Sequence, residues 1–150
     1  MIDRNKTPHQ GTNYTLVETG PSAHWPDYKV ALPGIELPGK LFLKELLGLT
    51  GCEISINAMQ PGEAMPIYHI HHQNEEVYFF IRGRGQLQVD GDVLNVSEGS
   101  IVRIAPAGER IWRNNSDEPL VYIVLQVKAD SLLQYGVNDA TIPEKAPAWA

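Results

Sequence analysis

The sequence predicts an all-β fold, an antiparallel sandwich or barrel, on three observations. Between about residues 41 and 128 apolar residues recur in short period-two runs, the pattern of strands with one buried face. Turn residues break these runs every eight to twelve positions or so, as an antiparallel array joined by short connections requires. At Asp90-Gly91-Asp92 two alternating runs are separated by an Asp-Gly pair, a strong hairpin signal because both central residues tolerate positive φ.

The elements follow in order. Residues 1–40 are rich in Pro, Gly, Asn and Thr, with Pro8, Pro21, Pro26, Pro33 and Pro38 at short intervals, and read as an irregular N-terminal arm. Its Trp25, Tyr28, Val30, Leu32 and Ile35 are suited to lie against the barrel or a partner subunit. Residues 41–43 form a first strand, although the LKELLG that overlaps and follows them could make one helical turn. Residues 53–59 alternate until QPGE breaks them, and 76–81 carry the Val, Tyr, Phe and Ile of a half-buried strand. Residues 86–89 and 93–96 pair across the Asp90-Gly91 turn. Residues 100–104 end at Ala105-Pro106-Ala107-Gly108, and 110–114 and 120–127 complete about eight strands. The division is an arm over 1–40, a barrel over 41–128 and a C-terminal extension over 129–150, with Pro143, Pro147 and Trp149 in the irregular tail.

Composition narrows the function. The 150 residues are one domain's worth, and 43% apolar with 20% charged is close to the globular average. Twelve Lys and Arg against 18 Asp and Glu give a net charge of −6, which disfavours nucleic acid and anionic membrane surfaces, since both need clustered basic residues. Cys52 is the single cysteine, so no intramolecular disulfide forms and it reads as a small core residue. The N-terminus has no apolar stretch behind its charges, and the longest strongly apolar run, 120–125, falls far short of the roughly 20 residues that span a bilayer. A cytoplasmic protein is expected.

The chemistry concentrates in His69-Ile70-His71-His72-Gln73-Asn74-Glu75-Glu76. On a strand, His69 and His71 share a face, roughly 6–7 Å apart at Cα because each residue advances about 3.3 Å. Glu76 opens the next strand, and the polar turn between lets its carboxylate fold back to the same point. Two imidazoles and a carboxylate suit Zn, Fe, Mn, Ni or Co. His72 and Glu75 alternate out of phase and are expected in solvent or behind the ligands. Tyr78 and Phe80 share the face of Glu76, either as core or as a substrate platform. Val77, Phe79 and Ile81 on the other face need a second sheet or a partner subunit over them. Arg82, Arg84, Arg103, Arg110 and Arg113 cluster between 82 and 113, most of them suited to exposed ion pairs. Gly83-Arg84-Gly85 is no phosphate loop, since no helix follows it, and Cys52 has no nearby base for nucleophilic catalysis.

The spacing resembles the cupin superfamily. Its first motif runs Gly, five residues, His-x-His, three or four residues, Glu, six residues, Gly; here Gly62, His69-x-His71, Glu76 and Gly83 fit, with six residues in the first gap. Its second motif runs Gly, five residues, Pro-x-Gly, two residues, His, three residues, Asn. Here Gly99 and Pro106-Ala107-Gly108 lead to Ile111 and Asn115, or, with the loop one residue shorter, to Arg110 and Asn114; neither alignment supplies the histidine. The resemblance covers about residues 41–127. It implies a jelly-roll barrel, the double-stranded β-helix of that family, with His69, His71 and Glu76 holding a divalent transition metal such as Fe, Mn, Ni or Zn and no fourth protein ligand. Arg110, if inward, would hold a ligand's carboxylate or phosphate beside Tyr78 and Phe80 as substrate-binding residues; Ile111, if inward, would close the site. Two functions are implied: a metal-dependent enzyme, dioxygenase, isomerase or lyase, acting on a small polar molecule, or a non-catalytic small-ligand-binding cupin with a degraded metal site. A homodimer is expected.

Overall fold

Period-two alternation becomes two antiparallel sheets in the computed structural model, which describes residues 8–149; expectations for residues 1–7 and 150 lie outside the described residues. Two short hairpins lead in: β1 (His9–Gln10) pairs with β2 (Thr15–Leu16), and β3 (Lys29–Leu32) with β4 (Ile35–Pro38). Then follow β5 (Lys40–Phe42), the single helical turn α1 (Lys44–Leu47) and β6 (Glu53–Met59). Both readings of LKELLG hold, since the strand ends at Phe42 and the turn begins two residues later. Next come β7 (Asn74–Arg82), β8 (Arg84–Val89), β9 (Asp92–Ser97) and β10 (Ile101–Ile104). The last strands are β11 (Arg110–Arg113) and β12 (Leu120–Lys128). The all-β class predicted from the sequence is the one observed.

A five-stranded sheet runs in the order β10-β7-β12-β6-β5 and a three-stranded sheet in the order β11-β8-β9. Their inner faces share one core, in which Tyr78, Phe80, Tyr122 and Val124 of the larger sheet meet Leu87, Val96 and Trp112 of the smaller. Each such large apolar side chain contributes roughly 1.5–3 kcal/mol when fully buried. The β8–β9 hairpin turns at Asp90 and Gly91, with φ of 50° and 93°, as the Asp-Gly pair requires. At Gly83 (φ 81°) a side chain would also collide with the Pro119 carbonyl, 2.3 Å from where Cβ would stand.

The arm carries more structure than its composition suggests. Trp25 and Tyr28 are buried with Leu43, Ile56, Ala58 and Val121 in a second cluster on the outer face of the larger sheet. Backbone bonds from Gly39 N to Tyr28 O (2.7 Å) and from Ala58 N to Gly39 O (2.8 Å) stitch the arm to β6. Among the described residues nothing comparable lies over β7: Val77 and Phe79 are half-buried, Ile81 and Ile101 are exposed, and no second sheet covers that stripe.

Candidate functional site

Inner-face register fixes the site. Gln126 of β12 stands opposite both Glu53 of β6 and Glu76 of β7, and Lys40 of β5 stands opposite Asn57 of β6. Side chains at these positions point into the barrel because alternate residues of a strand share a face. The two histidines come from outside the strands, a correction to the strand expected for them. His69 makes an isolated bridge to Arg110, with backbone N–O distances of 3.2 and 3.1 Å, and His71 N donates to Pro106 O at 2.9 Å. The segment is extended, so both rings still share a face, 5.3 Å apart between centroids.

His69, His71 and Glu76 converge, one ligand atom from each lying within 4.8 Å of the others. His71 Nε2 is 3.2 Å from Glu76 Oε1, at an angle that makes no hydrogen bond, and this buried nitrogen has no other partner. Burial, ahead of the attraction of Glu76, lowers the pKa of His71, which keeps its ring neutral and a lone pair available. The Gln126 amide lies 3.4 Å from His71 Nδ1. The neighbouring atom is the amide nitrogen, Nε2 of Gln126, so the contact orients the ring through Nδ1.

Burial alone would raise the pKa of the Glu76 carboxyl, but its neighbours outweigh that and hold it down at about 2. His69 Nε2 stands 3.8 Å from Oε2, a through-space partner and not a hydrogen-bond donor. The direct donors are Tyr78 OH at 2.8 Å and Arg110 Nη2 and Nε at 2.9 and 3.2 Å, all to Oε2. Oε1 is thereby left facing His71. Two imidazole nitrogens and this oxygen are a fitting donor set for a divalent transition metal, with three protein ligands and open positions.

Arg110, not Ile111, turns inward. It is fully buried, while Ile111 faces outward beside Gln86 and Gln88; Asn114, also buried, holds the following turn by donating to Met59 O and Glu118 O. The shorter reading of the second motif is therefore the one the chain adopts. A guanidinium has no lone pair to offer a metal, and this one is spent: besides Glu76, Nη1 donates to Gly108 O at 2.6 Å. Its expected role as clamp for a ligand's carboxylate or phosphate is corrected, because no side of it faces the cavity. Phe80 is likewise corrected from substrate platform to core, packed 5.7 Å from Tyr122 between ring centroids. Tyr78 both packs in the core and lines the cavity beside the histidines. His72 is exposed, and Glu75 pairs with Arg103. Arg84 pairs with Asp117 and Glu118 on the surface.

The cluster opens on a cavity of about 230 Å³, whose other walls include Lys40, Ser55, Met65, Trp112 and Gln126. A second cavity of about 240 Å³ adjoins it, sharing Leu37, Lys40, Met65 and Trp112. Sequence reasoning missed Lys40, Ser55, Asn57 and Gln126. Their available signal was polar residues at inward positions of otherwise apolar strands.

Comparisons with known proteins agree with this geometry. The cupin domain family matches residues 56–126, the span from β6 through β12 that carries the whole cluster. The structure of a cupin protein from Bacteroides fragilis is 38% identical and superposes with a TM-score of 0.67, covering 69% of this chain and 88% of that one. The plu4264 protein of Photorhabdus luminescens, 18% identical with a TM-score of 0.58 over 71% of this chain and 86% of that one, shares the fold. An uncharacterized protein of Methanocaldococcus jannaschii is 29% identical over 63 residues, 42% of this chain, and the match spans half of that relative's length. A relative matched over most of its length and a domain match across the barrel strands together settle the family: the chain belongs to the cupin superfamily.

Proposed function

We propose that this cupin holds one divalent transition metal on His69, His71 and Glu76 and is a metal-dependent enzyme acting on a small polar molecule, with dioxygenase, isomerase and lyase chemistries all compatible with the ligand set. The observation that supports it most is the buried, unpartnered His71 Nε2, aimed with His69 and Glu76 at one point on a cavity wall. A buried polar atom without a partner costs roughly 1–3 kcal/mol, and a ligated ion removes that cost. When bound, the ion supplies Lewis acidity or, if redox-active, oxygen activation. Tyr78 and Arg110 hold Oε2 so that Oε1 stays turned to the histidines, and Gln126 orients the His71 ring from its Nδ1 side. Residues 41–128 carry this site, and the arm and extension flank it. A homodimer fits the exposed Ile81 and Ile101, and the cytoplasm is the compartment proposed for it.

One observation favours the second reading, a non-catalytic small-ligand-binding cupin. The Arg110 cation already neutralises Glu76, and a positive charge beside a dication site weakens it. Metal analysis of protein purified without chelator or metal-affinity tag separates the two. Stoichiometric Fe, Mn, Ni or Zn that disappears in His69→Ala supports the enzyme; metal-free protein whose stability is unchanged by that substitution supports the binding module.

A further inference from the structure

Lys40 is the polar group of the cavity that the metal cluster leaves unexplained. It comes from β5, at the edge of the larger sheet, and turns inward where the two cavities adjoin. Its Nζ donates to Asn57 Oδ1 at 2.9 Å and to Ser55 Oγ at 3.1 Å, both from side chains buried on β6, and lies 4.8 Å from the Phe42 ring centroid. These contacts fix the ammonium in place but bring it no negative charge. Among the described residues no carboxylate stands within ion-pairing distance of it; Glu76 and Glu53 act on it only through space. An ammonium has three hydrogens to donate, and two are accounted for.

A cation drawn out of water without a counter-ion is costly. Burial, against the pull of Glu76 and Glu53, lowers the Lys40 pKa to about 8, so it is still mainly charged near neutrality. Oriented by two neutral acceptors and aimed into open space, such a group is arranged to receive an anion from outside the chain. We infer that Lys40 is the anion receptor of this cavity, so that the molecule bound there is an organic diacid, with one carboxylate paired with the Lys40 ammonium and the acid head at its other end facing His69, His71 and Glu76. Which oxygens sit on a metal rests on the function proposed above; the pairing with Lys40 does not.

The test compares two probes by calorimetry, 2-oxoglutarate and pyruvate, which share a 2-oxo acid head and differ by a distal carboxylate. Each is titrated into the full chain with and without Co²⁺, whose visible bands report metal loading independently. Wild-type protein is expected to bind the diacid about tenfold to a hundredfold more tightly than the monoacid, the range of one charge-assisted hydrogen bond. Lys40→Met should lose that preference with its Co²⁺ bands unchanged, and Lys40→Arg should keep part of it. Circular dichroism checks that each variant folds, and Lys40→Gln, able to keep the bond to Asn57, replaces Lys40→Met if that variant does not. Equal affinity for the two acids in wild type, uptake of neither, or a preference that survives loss of the charge overturns the inference. Absence of Co²⁺ bands in wild type instead overturns the metal reading, and Lys40 is then decided by the metal-free titrations alone, in which Lys40→Met should lose uptake of both acids and unchanged uptake overturns the inference.

Discussion

Replacing Arg110 with Met separates the two things this residue does. In chelator the substitution removes the one Lys or Arg that contacts Glu76 among the described residues, three hydrogen bonds of 3.2 Å or less and a fully buried guanidinium. Breaking a buried ion pair from one side costs about 3–5 kcal/mol, because the partner charge is left behind. For a chain of this length that lowers Tm by about 6–20 °C. The loss is bounded: without Arg110 the Glu76 carboxyl rises toward its ordinary pKa or above and can take up a proton. With metal present the order reverses. The dication then replaces Arg110 as the counter-charge of Glu76, and the variant should bind Co²⁺ or Mn²⁺ more tightly than wild type and regain stability in proportion to ligation. Thermal unfolding in chelator and across a metal titration reads both effects. A fall of less than about 1 kcal/mol in chelator, or metal binding weaker than wild type in the folded variant, would refute the view that Arg110 is the standing counter-ion of Glu76.

Other outcomes follow from the same geometry. The Glu76 pKa is about 2 in the folded protein against 4.5 ordinarily, so metal-free protein holds that stability above pH 4.5 and loses about 3 kcal/mol of it as pH falls from 4.5 through 2; Glu76→Gln should flatten this part of a urea-unfolding pH series. Gln126→Ala should weaken metal binding about 10–100-fold with little change in unfolding free energy in chelator, since it orients the His71 ring from Nδ1, and an unchanged metal affinity would count against that role. Gly83→Ala meets the Pro119 carbonyl at a positive φ and should destabilise by more than about 1 kcal/mol in chemical denaturation. Light scattering should report a dimer that Ile101→Glu converts to monomer; a wild-type monomer would remove the partner expected over Ile81 and Ile101.

The strands were legible because one buried face imposes a period of two, and the β8–β9 turn because Asp90-Gly91 admits positive φ. The His69, His71 and Glu76 cluster was legible because its members are close in sequence, so spacing alone constrains their geometry. Three features were not. The inward turn of Arg110 depends on one residue of loop length after Gly99, and only the pairing of β11 with β8 and with His69 decides it. The Lys40 cradle joins residues 15 and 17 positions apart, across the irregular loop from α1 to β6 whose path no local rule supplies. Phe80 could have been core or platform by pattern, and what settles it is Tyr122, brought against it by the β7–β12 pairing. The arm hairpins were hidden by their many prolines: Pro33 stands in the β3–β4 turn, Pro38 ends β4 in a two-stranded sheet where a missing N–H is tolerated, and Pro21 precedes and Pro26 lies within a 3-10 turn over Ser22–Asp27.

A crystal structure of protein grown with Zn²⁺ or Co²⁺, phased to locate the ion by its anomalous signal, addresses the site itself. The expected result is one peak about 2.0–2.2 Å from the Nε2 atoms of His69 and His71 and from Oε1 of Glu76, with Arg110 still on Oε2. Anomalous density only elsewhere on the chain, or none with the Glu76–Arg110 pair intact, would contradict a metal in this barrel.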